Sequence, residues 1–251
     1  MRVDVEVPIL PNPFVLKLAC GADLGAQDRE TLREISSRSR PVGAKSHIIG
    51  EGDRPGDVHL VMQGYACRSK VLPDGSRQIM ALLLPGDFCD LHVAILGEMD
   101  HDIVTLTPCQ VVDIPRREVL ALSNRSSALT RALWWSTLTD EGTLREWLAN
   151  IGRRSAEERL AHLFCELMVR LRAVGLADEV GYDLPLKQEE LADALGLSVV
   201  HVNRVLQNLR REGLVVWQGA RLEIPDFERL SVLASFDPNY LHLNAACLDV
   251  E

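Results

Sequence analysis

The amino-acid sequence predicts an α+β fold in three parts. An N-terminal double-stranded β-helix, jelly-roll-like, is expected over residues 1–118, one long helix over 119–151, and a winged helix-turn-helix with a C-terminal tail over 152–251. Three observations lead there. Short apolar runs separated by turn signals fill residues 40–115, helical periodicity takes over after Pro115, and two short amphipathic helices meet at a glycine within residues 188–209.

The β-rich part is read strand by strand. His47-Ile48-Ile49 precedes a breaker-rich turn, Gly50-Glu51-Gly52-Asp53-Arg54-Pro55-Gly56-Asp57. Residues 58–62 are apolar enough for a buried strand and end at Gln63-Gly64. Residues 65–72 and 78–84 flank Pro73-Asp74-Gly75-Ser76, a hairpin signal. Pro85-Gly86-Asp87 makes a further corner, and residues 103–114 hold two more strand-like runs. Short strands at regular spacing close into a sandwich or roll.

Beyond Pro115, Leu129, Leu133, Trp134, Leu138, Leu144, Leu148 and Ile151 lie along the expected long helix. Its last three follow a helical spacing of four and three. The stripe fits either a helix packed on its own β-roll or one paired with its twin. Trp134, Trp135 and Trp147 favour the twin, because they offer more apolar surface than one contact face needs. Asn150-Ile151-Gly152 is the expected hinge before a second helix over residues 155–173.

Residues 188–209 carry the most specific pattern. Leu191, Ala192 and Leu195 form the inner face of a first short helix, and Ala192 is small enough for a second helix to cross closely. Gly196 stands where the chain must enter the left-handed region. Leu197 fills the corner, Ser198 is an N-cap, and Val202, Val205, Leu206 and Leu209 bury the second helix until Gly213 ends it. Residues 214–217 and 221–224, joined around Gln218-Gly219, read as a β-hairpin wing. Spacing, size and capping together describe a helix-turn-helix, whose second helix enters the major groove of DNA.

On that helix, Val199, Val200, His201, Asn203, Arg204 and Gln207 remain outside the buried stripe and are the expected base contacts. Arg204 suits guanine, Asn203 or Gln207 suits adenine, Val199 and Val200 suit thymine methyls, and His201 suits a phosphate or a base. Ser198, Arg210, Arg211 and Arg221 are the expected phosphate contacts. The chain's formal charge of −9 opposes a polyanion, yet residues 198–217 hold Arg204, Arg210 and Arg211 against Glu212 alone. The local field at the contact decides.

With 47% apolar and 25% charged residues, a folded water-soluble protein is expected. Residues 1–10 do not read as a signal peptide, and no apolar run nears the roughly 20 residues of a membrane span. A cytoplasmic location follows. Cys20, Cys67, Cys89, Cys109, Cys165 and Cys247 are scattered without a C-x-x-C pair, so free, mostly buried thiols are expected there, with no metal and no cofactor. No nucleophile elbow, phosphate loop or zinc-hydrolase helix points to an enzyme.

A β-roll, a long helix and a winged helix-turn-helix, in that order, resemble the Crp/Fnr regulators over residues 32–230. Gly50-Glu51-Gly52-Asp53, Gly64, Pro85-Gly86-Asp87-Phe88 and the 188–209 motif carry the likeness. The resemblance implies a sensor β-roll, a homodimer on a palindromic operator in double-stranded DNA, and a partnership with RNA polymerase. Signals from the roll would reach the helix-turn-helix through the long helix. Cyclic-nucleotide-binding members carry a Gly-Glu-Leu-type cassette with a nearby arginine. Here Phe88 is followed by Cys89-Asp90-Leu91-His92, later by Asp100-His101-Asp102, with no arginine between Gly86 and Pro115. Cyclic AMP is therefore not the expected ligand, and the effector stays unnamed. Cys89, Asp90, His92, Asp100 and His101 are the candidate effector pocket. Cys20 alone cannot hold the iron–sulfur cluster of oxygen-sensing members, and Val199-Val200 replace a customary polar pair, which implies an unusual operator. The alternative is a cupin-like metalloprotein or enzyme with a helical tail for protein contacts.

Overall fold

The computed structural model describes residues 11–244 and Cys247; the leader reading of residues 1–10 lies outside them. The described residues open with two helices that the expected β-roll did not include, α1 (Pro13–Ala19) and α2 (Ala26–Ile35). Asn12 starts α1 by accepting from the Phe14 and Val15 N–H groups, with Pro13 at the first helical position. The helix buries Phe14, Val15 and Leu18 against the roll.

Strands β1 (Ser39–Val42), β2 (His47–Ile49), β3 (Asp57–Gln63), β4 (Ala66–Val71) and β5 (Arg77–Leu83) follow. A one-turn helix α3 (Val93–Leu96) precedes β6 (Asp102–Thr105) and β7 (Cys109–Pro115). They form two antiparallel sheets, ordered β1-β7-β3 and β2-β6-β4-β5, as the alternation of strand and turn predicts. Between them lie Val58, Leu60, Phe88, Ile103 and Val112, none more than 1% exposed. Full burial of one such side chain contributes roughly 1.5–3 kcal/mol. Phe88 meets Phe14 edge to face at 5.1 Å, fastening α1 to the roll. Gly86, at φ +95°, makes this approach feasible: a Cβ there would lie 2.7 Å from the Pro13 carbonyl oxygen.

The single long helix expected over 119–151 is two helices, α4 (Arg116–Arg125) and α5 (Ser127–Arg153). Ser126 separates them in extended conformation, and its hydroxyl caps α5 by accepting from the Leu129 N–H. The expected hinge at Asn150-Ile151-Gly152 is helical. The bend falls at Arg154 and Ser155, where Ser155 and Glu158 form a capping box that opens α6 (Ala156–Arg172).

A wing of three strands, β8-β10-β9, surrounds the helix-turn-helix: β8 (Gly181–Asp183) comes before α7 (Gln188–Leu195) and α8 (Val199–Arg211), and β9 (Val216–Gln218) and β10 (Arg221–Glu223) after. Helix α9 (Phe227–Ala234) and a 3-10 turn (Pro238–Leu241) follow the wing. The two ends of the described chain meet in a Cys20–Cys247 disulfide with Cα atoms 5.8 Å apart. This corrects the expectation of six free thiols. Only Cys67, Cys89, Cys109 and Cys165 are free, and all four are buried. The pairing spans 227 residues and has no local spacing signature.

The roll and the helix-turn-helix share one continuous core. Tyr65, Ile79, Leu82 and Leu106 pack with Phe164, Leu167, Leu191 and Leu195. Polar contacts cross the same seam: Arg77 pairs with Asp193 at 2.7 Å, and the Tyr65 hydroxyl donates to the Asp183 carbonyl. Arg170 of α6 binds Asp87 at 2.7 Å and Glu166 at 2.9 Å, and donates to the Leu82 carbonyl at 3.0 Å. Burial opposes charge on Asp87, but Lys17 and Arg170 outweigh it and hold its pKa below the usual value. Among the described residues no helix is long and apolar enough to cross a membrane.

Candidate nucleic-acid interface

Helix α7 begins where the Glu190 carboxylate accepts from the Lys187 N–H, and it ends at Gly196, φ +63°. That left-handed residue turns the chain with one tripeptide, Gly196-Leu197-Ser198, before α8. Ser198 accepts from the His201 N–H at 3.2 Å and so fixes where α8 starts. Val202, Val205, Leu206 and Leu209 are at most 4% exposed and pack into the core with Leu191, Ala192 and Phe164. With one face anchored, the 3.6-residue period forces the remaining side chains outward.

Those outward residues are the ones the sequence singled out. Val199, Val200, Asn203, Arg204 and Gln207 are exposed, Val200 by 80%, and His201 is half-buried. Arg204 makes no ion pair among the described residues. Asn203 donates to the Gln188 side chain at 3.0 Å, which brings Gln188 of α7 to the same surface. Gln188 was not among the expected contacts, since a pairing fifteen residues away leaves no periodic signal.

The four expected phosphate residues divide. Arg211 is exposed and donates only to Asn208, at 2.6 Å. The Ser198 oxygen accepts in its cap, which leaves the O–H to donate. Arg210 is half-buried and donates to the Trp217 carbonyl at 2.7 Å, bracing α8 against the wing. Arg221 is paired with Asp178, which cancels much of its charge. Local charge was readable from the sequence; the use of each charge was not.

A cavity of about 390 Å³ lies between strands β4 and β5 of the roll and α5. Of the five candidate effector residues, His92, Asp100 and His101 line it. Cys89 and Asp90 do not: both are 0% exposed, and Asp90 accepts from the His59 N–H at 2.7 Å and binds His59 Nδ1 at 2.6 Å. A buried carboxylate needs such partners, so Asp90 is a brace for β3. The cavity does contain arginines, contrary to what residues 86–115 suggested, because Arg68 comes from β4 and Arg170 from α6. Both are engaged. Arg68 binds Asp140 at 2.8 Å and the Phe88 and Cys89 carbonyls, and Arg170 is held by Asp87 and Glu166. Burial, aided by Arg68, lowers the pKa of both His92 and His101, so they are neutral near pH 7.

Comparison with known proteins agrees with this geometry. Residues 158–233 match the Crp-like helix-turn-helix domain, and residues 39–126 match the cyclic nucleotide-binding domain. The chain is 31% identical to the transcriptional activator protein FnrL of Cereibacter sphaeroides over 90% of its own length and 93% of that protein's. It is 30% identical to the transcriptional activatory protein AadR of Rhodopseudomonas palustris, covering 87% and 90% of the two chains. FixK2 from Bradyrhizobium japonicum superposes with a TM-score of 0.70 at 25% identity, over 78% of this chain and 96% of its own. With a β-roll, a long α5 and a helix-turn-helix whose reading face is open, this chain belongs to the Crp/Fnr family and is a DNA-binding transcriptional regulator.

Proposed function

We propose that the chain acts as a homodimer that sets two copies of α8 into the major groove of a palindromic operator. The observation supporting this most directly is the division of α8 into an anchored face and an open face with Arg204 unpaired among the described residues. Arg204 takes guanine in bidentate fashion, Asn203 or Gln207 takes adenine, Val199 and Val200 pack on thymine methyls, and His201 meets a base or phosphate. Ser198 and Arg211 bind phosphate, while Arg210 and Arg221 join only on releasing Trp217 and Asp178.

Dimer formation uses α5. Trp134, Leu138, Leu144 and Leu148 are 51–74% exposed and fall within about 120° of one another on the helix. Glu141 and Arg145, paired at 2.6 Å, lie in the same stripe. Trp135 and Trp147 are not part of it. Trp135 donates to the His242 carbonyl, and the buried Trp147 donates to Glu166. The regulator works in the cytoplasm, activates transcription as its relatives' names indicate, contacts RNA polymerase in doing so, and performs no catalysis. A small-molecule effector other than cyclic AMP enters the cavity beside His92, Asp100 and His101. Both cavity arginines are already neutralised, Arg68 by Asp140 and Arg170 by Asp87 and Glu166, and Asp100 would repel a phosphate.

Gel-shift titration against genomic fragments tests the DNA reading. Arg204→Ala is expected to lower preferred-site affinity by roughly 1–3 kcal/mol and erase preference at that base. Arg211→Ala is expected to weaken all sequences alike and reduce the salt slope by about one. Equal losses of specific and background binding in both variants would reject these roles.

A further inference from the structure

We infer that His92, Asp100 and His101 form a binding site for a divalent transition-metal ion of the Zn²⁺ type at the edge of the β-roll cavity. The inference names the ligand class of the cavity assigned above to an effector, and rests on that assignment for its regulatory meaning only.

The three residues come from two segments that the fold brings together. His92 stands at the start of α3, while Asp100 and His101 precede β6. One ligand atom from each lies within 4.8 Å of the others. Around a tetrahedral ion with bonds of roughly 2.0–2.1 Å, ligand atoms sit about 3.4 Å apart, so small side-chain rotations complete the set. The imidazoles lie close, with ring centroids 5.5 Å apart and a 33° tilt. His101 Nδ1 is 2.5 Å from Asp100 Oδ1, and His92 Nε2 is 3.9 Å from the same oxygen.

A second observation is independent of the clustering. The Nε2 atoms of both His92 and His101 are buried without a hydrogen-bond partner. A buried polar atom left unpaired is costly, and two of them beside one carboxylate are satisfied together by a single cation. Two imidazoles and a carboxylate are the donor set that Zn²⁺ accepts in sites with an open fourth position. Here that position faces the cavity, where Arg68 is already held by Asp140. A small anionic or thiol ligand carried by the ion would then bear on β5 and α5 together, because Leu83 and Leu144 line the same space.

The test uses the full-length protein, stripped with a chelator and titrated with Zn²⁺ against a chromophoric competitor, in parallel with Co²⁺ followed by visible absorption. One equivalent per chain is expected, with Co²⁺ bands of a nitrogen–oxygen site. Loss of an outer partner of a metal ligand costs roughly 10–100-fold in affinity, so His92→Ala and His101→Ala should each cost more than about 100-fold. Cys20→Ser with Cys247→Ser should leave binding unchanged. Arg204→Ala should take up Zn²⁺ like the parent, which separates this site from the DNA reading. Binding that survives in the His92→Ala/His101→Ala double variant, a sulfur charge-transfer band with Co²⁺, or no uptake tighter than the competitor in the parent would each overturn the proposal.

Discussion

At the scale of single residues, His59 shows how a buried charge makes stability depend on pH. Burial opposes its protonation, but the hydrogen bond and charge of Asp90, with Asp113 behind, outweigh burial and raise its pKa above the ordinary value. A raised histidine pKa stabilises the folded state fully below about 6.5, the unfolded value, and loses that contribution as pH rises through the folded value. The melting-temperature gap between the parent and His59→Asn should therefore be widest in mild acid and shrink above about pH 6.5. A gap that grows with pH would show that His59 is neutral in the fold. The residue scale also marks how far the sequence reads. Val202, Val205, Leu206 and Leu209 were legible as one buried face because helical periodicity alone sets it. The engagements of Arg210 and Arg221 were not, since their partners lie 7 and 43 residues away and are fixed by the packing of the wing.

At the scale of elements, the proposed dimer rests on α5. Its 27 residues extend about 40 Å, long enough to hold an interface over several turns. Placing carboxylates in its apolar stripe should abolish pairing without touching the core, because Leu138 and Leu148 are 51% and 74% exposed. Leu138→Glu with Leu148→Glu is expected to elute as a monomer by light scattering, with unchanged helix content and much weaker operator binding. A dimer that persists would move the interface elsewhere. The strands of the roll were readable from turns such as Pro73-Asp74-Gly75-Ser76, which force reversals wherever they occur. The break at Ser126 escaped notice because a serine cap inside a helical stretch is indistinguishable from an ordinary polar position until the neighbouring backbone is extended. Helices α1 and α2 escaped as well. They are short, and α1 is apolar mainly because it covers the roll, a tertiary cause that leaves a weak local mark.

For the whole molecule, the shared core is the dominant fact. The sequence suggested two domains joined by a helix. Instead, Tyr65, Ile79, Leu82 and Leu106 of the roll complete the same cluster as Phe164, Leu191 and Leu195. A fragment of residues 152–251 would expose that seam, together with Asp193 and Asp183 stripped of Arg77 and Tyr65. It is expected to aggregate, or to unfold without a sharp transition in calorimetry, whereas the full chain melts cooperatively. A soluble fragment with a sharp transition near the parent's would show the seam to be dispensable. The seam also joins the roll to the helix-turn-helix without using the long helix. Strand β5 is tied to α7 directly through Arg77 and Asp193, apart from the long helix that the family likeness suggested as the link.

The bond between Cys20 and Cys247 turns a linear polymer into a ring with 227 residues of separation between its joined points. The closed loop cannot peel apart from its joined points, although α1 lies outside it and stays free to fray. Opening of the loop itself must begin between Cys20 and Cys247 and leave both tied, and in the chain-entropy description the closure withholds about 5 kcal/mol of disorder from the unfolded chain. Reductants therefore do more than cut a link: they change which parts of the molecule are free to fray first.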